Sequence, residues 1–235
     1  MHLRFVVALI AGALSLGQAA PEPKPFPMLE DRAADSYEIY SLLLEQGLKN
    51  SNWTPKYWLV EEMTAAGEPS TMPCKAEDVS ETPQGTVWTN PPQNATPLQL
   101  ARMGNNPHYA KPPAGHELEF RAVLDDFDSH CRERVILSAD HFHTSIPIHL
   151  ADGATKERFE ASQNSATRPD PRTAEFDGVA GLATFSEVFF NPQHTLALVH
   201  QGNWCGTLCG TRGWVILEHK DGQWKQRGGY GWSIS

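Results

Sequence analysis

The sequence predicts an α+β domain in which N-terminal and central helices pack on an antiparallel sheet that ends in a C-terminal β-meander. Three observations carry this expectation. Apolar residues recur at spacings of three and four from Tyr37 and again from Phe120, the period of an amphipathic helix. From Phe185 onward, short β-branched and aromatic runs are separated by turn residues. Helices first and hairpin-linked strands last is the order of an α+β chain.

The chain opens with an export pattern. His2 and Arg4 make a weakly basic start, Phe5 to Leu16 is an uncharged apolar run of 12, and Gly17-Gln18-Ala19 supplies small residues. Cleavage is expected near Ala19, because a cut after Ala20 would put Pro21 directly behind the scissile bond. Such a run is too short to anchor the chain, since about 20 apolar residues are needed to cross ~30 Å of hydrocarbon. No later segment is long and apolar enough to span a membrane. The mature protein is therefore expected to be secreted or periplasmic.

Four prolines in the seven residues Pro21 to Pro27 read as an extended tether. The expected organisation is a signal over 1–19, a proline-rich tether over 20–34 and a single α+β domain over 35–235. Asp35-Ser36-Tyr37-Glu38 has the form of a capping box, with Asp35 as cap and Glu38 reaching back. The helix it opens carries Tyr37, Tyr40, Leu44 and Leu48 on one face and runs to about Lys49. Tyr57 to Thr64 reads as a strand, with Tyr57, Leu59 and Met63 on one side and Trp58 and Val60 on the other.

An irregular insertion at about 65–115 holds nine prolines. Within it, Thr96-Pro97-Leu98 predicts a short helix to about Met103, and Gly85 to Thr89 a short strand. His116 to Cys131 predicts the second long helix, with Phe120, Val123, Leu124 and Phe127 inward and Asp125, Asp126 and Asp128 outward. Val135–Leu137 and Ile146–Leu150 read as short strands, and Thr155–Gln163 as a short helix. The meander then runs through Phe185–Phe190, Leu196–His200, Trp214–Glu218 and Trp224–Arg227. Its first turn is Asn191-Pro192-Gln193-His194. Its last is Asp221-Gly222, a hairpin dipeptide suited to positive φ.

Charge and cysteine content narrow the function. The whole chain carries −9, and loss of Arg4 with the signal leaves 18 Lys and Arg against 28 Asp and Glu, or −10. An acidic chain without clustered Lys and Arg is a poor nucleic-acid binder. All four cysteines, Cys74, Cys131, Cys205 and Cys209, follow the signal, and an even count in an oxidising compartment favours disulfides. Of three pairings, the expected one is Cys205–Cys209 with Cys74–Cys131. Gly206 and Gly210 supply the backbone freedom that a tight Cys205–Cys209 reversal needs.

Three residue groups are candidates for chemistry. His141 and His143, separated by one residue, would share one side of a strand, and His149 follows six residues later. These are candidate zinc ligands, although no HExxH helix accompanies them. Cys205 and Cys209 are a candidate redox pair, but C-x3-C without βαβ context is not the thioredoxin pattern. Trp204, Tyr230 and Trp232 are candidate ligand-stacking aromatics, while Trp214 and Trp224 read as strand core. Asn52 and Asn94 head N-x-T triplets, meaningful in a host that glycosylates. No nucleophile elbow, phosphate loop or cofactor motif occurs, so no catalytic residue is assigned and no cofactor is expected.

From Phe185 the chain resembles a group of uncharacterised exported bacterial proteins. The matching positions are Ser186, Val188, Phe190, Asn191, Thr195, Ala197, Leu198 and Val199. They continue through Cys205, Gly206, Leu208, Cys209, Gly210, Asp221, Gly222, Trp224 and Lys225. Leu124-Asp125-Asp126-Phe127 looks like a further matching segment, so the likeness covers about 116–227. Phe189 departs from it, where the group often has glycine. The resemblance implies a shared structural role for the cysteine loop and implies no activity. The closing D-G-x-W-K hairpin is also similar to the end of nuclear-transport-factor-like α+β cones, a likeness of fold alone.

Three functions stand as expectations. The first is a non-enzymatic exported envelope protein that binds a ligand or partner. The second is a metal-dependent hydrolase using His141, His143 and His149. The third is a thiol–disulfide redox protein using Cys205 and Cys209.

Overall fold

A computed structural model describes residues 26–49, 54–65, 81–82, 85–86, 106–164, 175–206 and 209–234. The described helices are α1 (Glu30–Lys49), α2 (Glu117–His130) and α3 (Gly153–Asn164). The strands are β1 (Phe26–Pro27), β2 (Tyr57–Glu61), β3 (Glu81–Thr82), β4 (Gly85–Thr86), β5 (Val135–Ile136) and β6 (Ile148–Ala151). They continue with β7 (Val179–Phe185), β8 (Phe189–Phe190), β9 (Leu196–Trp204), β10 (Thr211–Lys220) and β11 (Gln223–Ile234). The expected signal, the expected helix at 96–103, Cys74, Asn52 and Asn94 lie outside the described residues.

Seven strands form one mixed sheet in the order β11-β10-β9-β7-β2-β6, with β8 paired to β9 beyond the end of β7. Its C-terminal strands are antiparallel, as a meander requires. The chain is thus α+β, but the sheet is not antiparallel throughout: β2 runs parallel to both β6 and β7. Parallel pairing needs a crossover, and α3 provides one between β6 and β7.

Helices cover both faces of this sheet, and the burial pattern follows from that. Val215 and Leu217 of β10 face the core under α1, while Trp214 and Ile216 face the core under α2. The same alternation sets Ala197 and Val199 against Leu196 and Leu198 in β9. Phe159 of α3 covers Leu59 and Leu182. A strand covered on both sides needs apolar residues at successive positions rather than at alternate ones. Trp58, Leu59 and Val60 are all buried for this reason.

The long helix begins at Glu30, so the capping-box reading of Asp35 is corrected, as is the tether to residue 34. Leu29 O takes the first amides, from Arg32 and Ala33. Asp35 lies one turn inside, its carboxylate drawn to Trp224 Nε1 at 3.1 Å and His194 Nδ1 at 2.6 Å. Phe26–Pro27 also departs from a tether, because it pairs in parallel with Val135–Ile136. Strand β7 begins at Val179, in a stretch for which the sequence predicts no element. The Asp221-Gly222 turn has φ of 56° and 74°, the doubly positive geometry of a two-residue hairpin loop.

Candidate functional site

A cluster of buried polar residues lies where the parallel strands β2 and β7 end. There the chain between β7 and β8, Ser186-Glu187-Val188, leaves the regular ladder with β9, and only Ser186 keeps a backbone bond to it. Ser186 and Glu187 are buried polar residues inside an otherwise apolar run. Ser186 resolves its own burial: its amide donates to His200 O at 2.8 Å and its hydroxyl accepts from His200 N at 2.8 Å. The hydroxyl also donates to Glu187 O at 2.7 Å. From α1, the Tyr40 hydroxyl donates to Ser186 O at 2.9 Å. Thr64, beyond β2, accepts Val135 N on its hydroxyl at 2.8 Å.

Arg32 joins both helices to this break. Its Nη1 and Nη2 donate to the two carboxylate oxygens of Asp126 on α2, at 3.2 and 2.6 Å. Nη2 also donates to Val188 O at 2.6 Å. Asp126 Oδ2 accepts the amide of Phe190 at 2.8 Å, and His130 Nδ1 stands 2.9 Å from Oδ1. A paired guanidinium and carboxylate thus staple α1, α2 and β8 together. Arg32 also lies 5.5 Å over the Phe190 ring. A bidentate pair has the directional fork geometry that holds elements in register.

Glu187 is the unusual member. Its Oε1 is 3.5 Å from Arg32 Nε, yet neither Arg32 Nε nor Glu187 Oε2 has a hydrogen-bond partner among the described residues. Burial pushes its carboxyl up to about 7, against the pull of Arg32. A carboxyl that changes charge near neutrality can in principle accept or donate a proton. Here it is 5 % exposed, so a substrate would have to displace its neighbours to reach it. Burial, with the nearby Glu187 and Tyr37, also holds the Tyr40 hydroxyl well above its ordinary value.

No protein-family model, no curated protein and no solved structure matches the chain.

The sequence-derived candidates take other places. His141 ends a short 3-10 turn rather than a strand, and its ring meets Tyr37 edge-on at 4.9 Å. His143 is exposed, its amide held by the Ser41 hydroxyl at 2.9 Å. His149 stacks on Tyr57 at 4.4 Å. The three rings thus take separate surroundings, and no group of three or more His, Cys, Asp or Glu suited to a metal ion occurs among the described residues. Cys205 and Cys209 are bridged, with Cα atoms 5.3 Å apart, and Gly206 between them has φ of 118°. Cys131 is disulfide-bonded as well.

Trp204 packs edge-on against Phe159 at 5.6 Å, so much of its ring serves the α3 core. Tyr230 packs against the α2 core, across from Trp214 in the β10–β11 register. Trp232 lies in β11, and its side chain is outside the description. Trp214 and Trp224 are buried core residues.

Two of the three aspartates read as facing outward do not. Asp126 holds Arg32, and Asp128 Oδ1 stands 2.6 Å from His108 Nε2; Asp125 alone is exposed. Arg32 and Glu187 escaped sequence reading because one lay in the supposed tether and the other inside a supposed continuous strand. The available signal was Ser186-Glu187 itself, a polar pair between Phe185 and Val188-Phe189-Phe190.

Proposed function

We propose that the protein is an exported, disulfide-stapled domain of the cell envelope that binds a ligand or protein partner rather than catalysing a reaction. The observation that carries this reading is the direction in which its polar groups point. Arg32 and Asp126 turn inward and hold both helices to the sheet, which is structural work, and Glu187 is buried beside them. Outward-facing polar groups line β11, the 12-residue strand at one edge of the sheet. Lys225, Gln226 and Arg227 are exposed there, and Tyr230 is half-buried. An edge strand offers backbone donors and acceptors to an extended partner. The bridged Cys205–Cys209 pair supports an oxidising compartment. The export pattern at the start of the sequence and the resemblance to exported proteins support the same location.

Retention of purified protein on peptidoglycan, on outer-membrane vesicles and on periplasmic extract tests this reading. Retention by one fraction, lost in Lys225→Glu/Gln226→Glu, is the expected result. Equal retention of the variant, or no retention by any fraction, would refute it.

A redox role is the second reading, favoured by the position of Cys209, which is exposed at the bridge. A bridge that exchanges with glutathione at physiological poise would support it. A strongly reducing potential, below about −300 mV, would leave a structural bridge only.

A further inference from the structure

We propose that Glu187 is a proton-binding site that sets the state of the staple between α1, α2 and β8. With the proton bound, Arg32 serves Asp126 and Val188. With it released, the Glu187 carboxylate competes for the guanidinium. The geometry carries the inference. Two carboxylates from different elements share one arginine, whose Nη atoms are committed and whose buried Nε is free, 3.5 Å from Glu187 Oε1. Glu187 Oε2 is buried and without a hydrogen bond among the described residues, a position tolerable for a neutral acid and costly for an anion.

The charges that face Glu187 come from each neighbouring element. Arg32 and Tyr40 project from α1, Asp126 and His130 from α2, and Glu133 from the link beyond it. Asp126 and Glu133 oppose a further negative charge, while Arg32 and His130 favour it. Burial dominates and places the change of charge at about 7. An ionised Glu187 finds its nearest relief at Arg32 Nε. Turning the guanidinium toward it weakens the bonds to Asp126 and Val188, and Asp126 Oδ2 is also the acceptor for Phe190 N. Strand β8 is therefore the element that loosens. Because the folded carboxyl titrates above its unfolded value, its contribution to stability is complete below about 4.5 and is lost as pH rises through about 7.

Glu187→Gln keeps the uncharged form, so the test compares it with the wild type. Urea unfolding at about pH 5 and about pH 8 should show the wild-type unfolding constant rising at least tenfold more than that of the variant. Exchange of the Phe190 amide, corrected for its intrinsic base catalysis, should accelerate over the same interval in the wild type alone. Equal pH dependence in the two proteins overturns the proposal. If the variant does not fold, carboxyl-carbon NMR of glutamate-labelled wild type decides. One glutamate titrating near 7, with the Phe190 amide shift tracking it, supports the site; every glutamate titrating below about 5.5 overturns it.

Discussion

Removal of the Asp126 charge tests the staple most directly. Asp126→Asn leaves the shape of the side chain but withdraws the counter-charge of a guanidinium whose side chain is 9 % exposed. Breaking one partner of a buried pair costs about 3–5 kcal/mol, chiefly through the charge left uncompensated. The structure argues for the lower end. Asp126 is itself 17 % exposed, and the Glu187 carboxyl stands 3.5 Å from Arg32 Nε as a partial substitute. The expected loss is therefore about 3 kcal/mol. Urea unfolding followed by tryptophan fluorescence suits the measurement, because Trp214 and Trp224 are buried reporters. With a slope of about 2 kcal/mol per molar urea, the midpoint should fall by about 1.5 M. In a double-mutant cycle with Arg32→Ala, Asp126→Ala should show coupling of about 2 kcal/mol or more. An Asp126→Asn unfolding free energy within about 0.5 kcal/mol of wild type would refute the reasoning and return Asp126 to a solvated helix face.

Burial, with the charge of Arg212 adding to it, pushes the His200 imidazole down to about 4, so the folded state prefers it neutral. Its contribution is complete above about 6.5 and lost as pH falls through about 4; the wild type should lose about 3 kcal/mol more than His200→Gln over that window, and parallel acid limbs in urea unfolding would refute this. Reduction of Cys205–Cys209, separated by four positions, should destabilise the protein by about 2 kcal/mol from loop-closure entropy, measured against Cys205→Ala/Cys209→Ala under oxidising conditions. Gly181 has φ of 144°, and a Cβ there would strike the Asn203 amide oxygen and lie 3.2 Å from Trp204 O. Gly181→Ala should therefore cost on the order of 1–3 kcal/mol by thermal unfolding, and an unchanged midpoint would show that β7 lacks this geometry.

Local pattern was legible where one residue spacing answers to one force. The Phe120, Val123, Leu124 and Phe127 stripe is the buried face of α2, and Asp221-Gly222 turns the last hairpin. Both depend on chain geometry within a few residues. Strand β7 was not legible, because a strand buried on both faces has no period of two, and its Gly181 answers to Asn203 and Trp204 across the sheet.

The candidate site was hidden for a related reason. Arg32, Asp126 and Glu187 are separated by 94 and 61 positions, and nothing local distinguishes Asp126 from exposed Asp125 beside it. By itself, the sequence determined the α+β class, the helix stripe of α2, the C-terminal hairpin and the close cysteine pair, since periodicity and turn chemistry act at short range. Only the tertiary structure decided that β2 runs parallel to its neighbours, that Asp35 ties α1 to Trp224 rather than capping it, and that a carboxyl at 187 is buried beside a shared arginine. Those outcomes depend on which distant groups share a low-dielectric interior, and burial sets their cost only after the chain has closed around them.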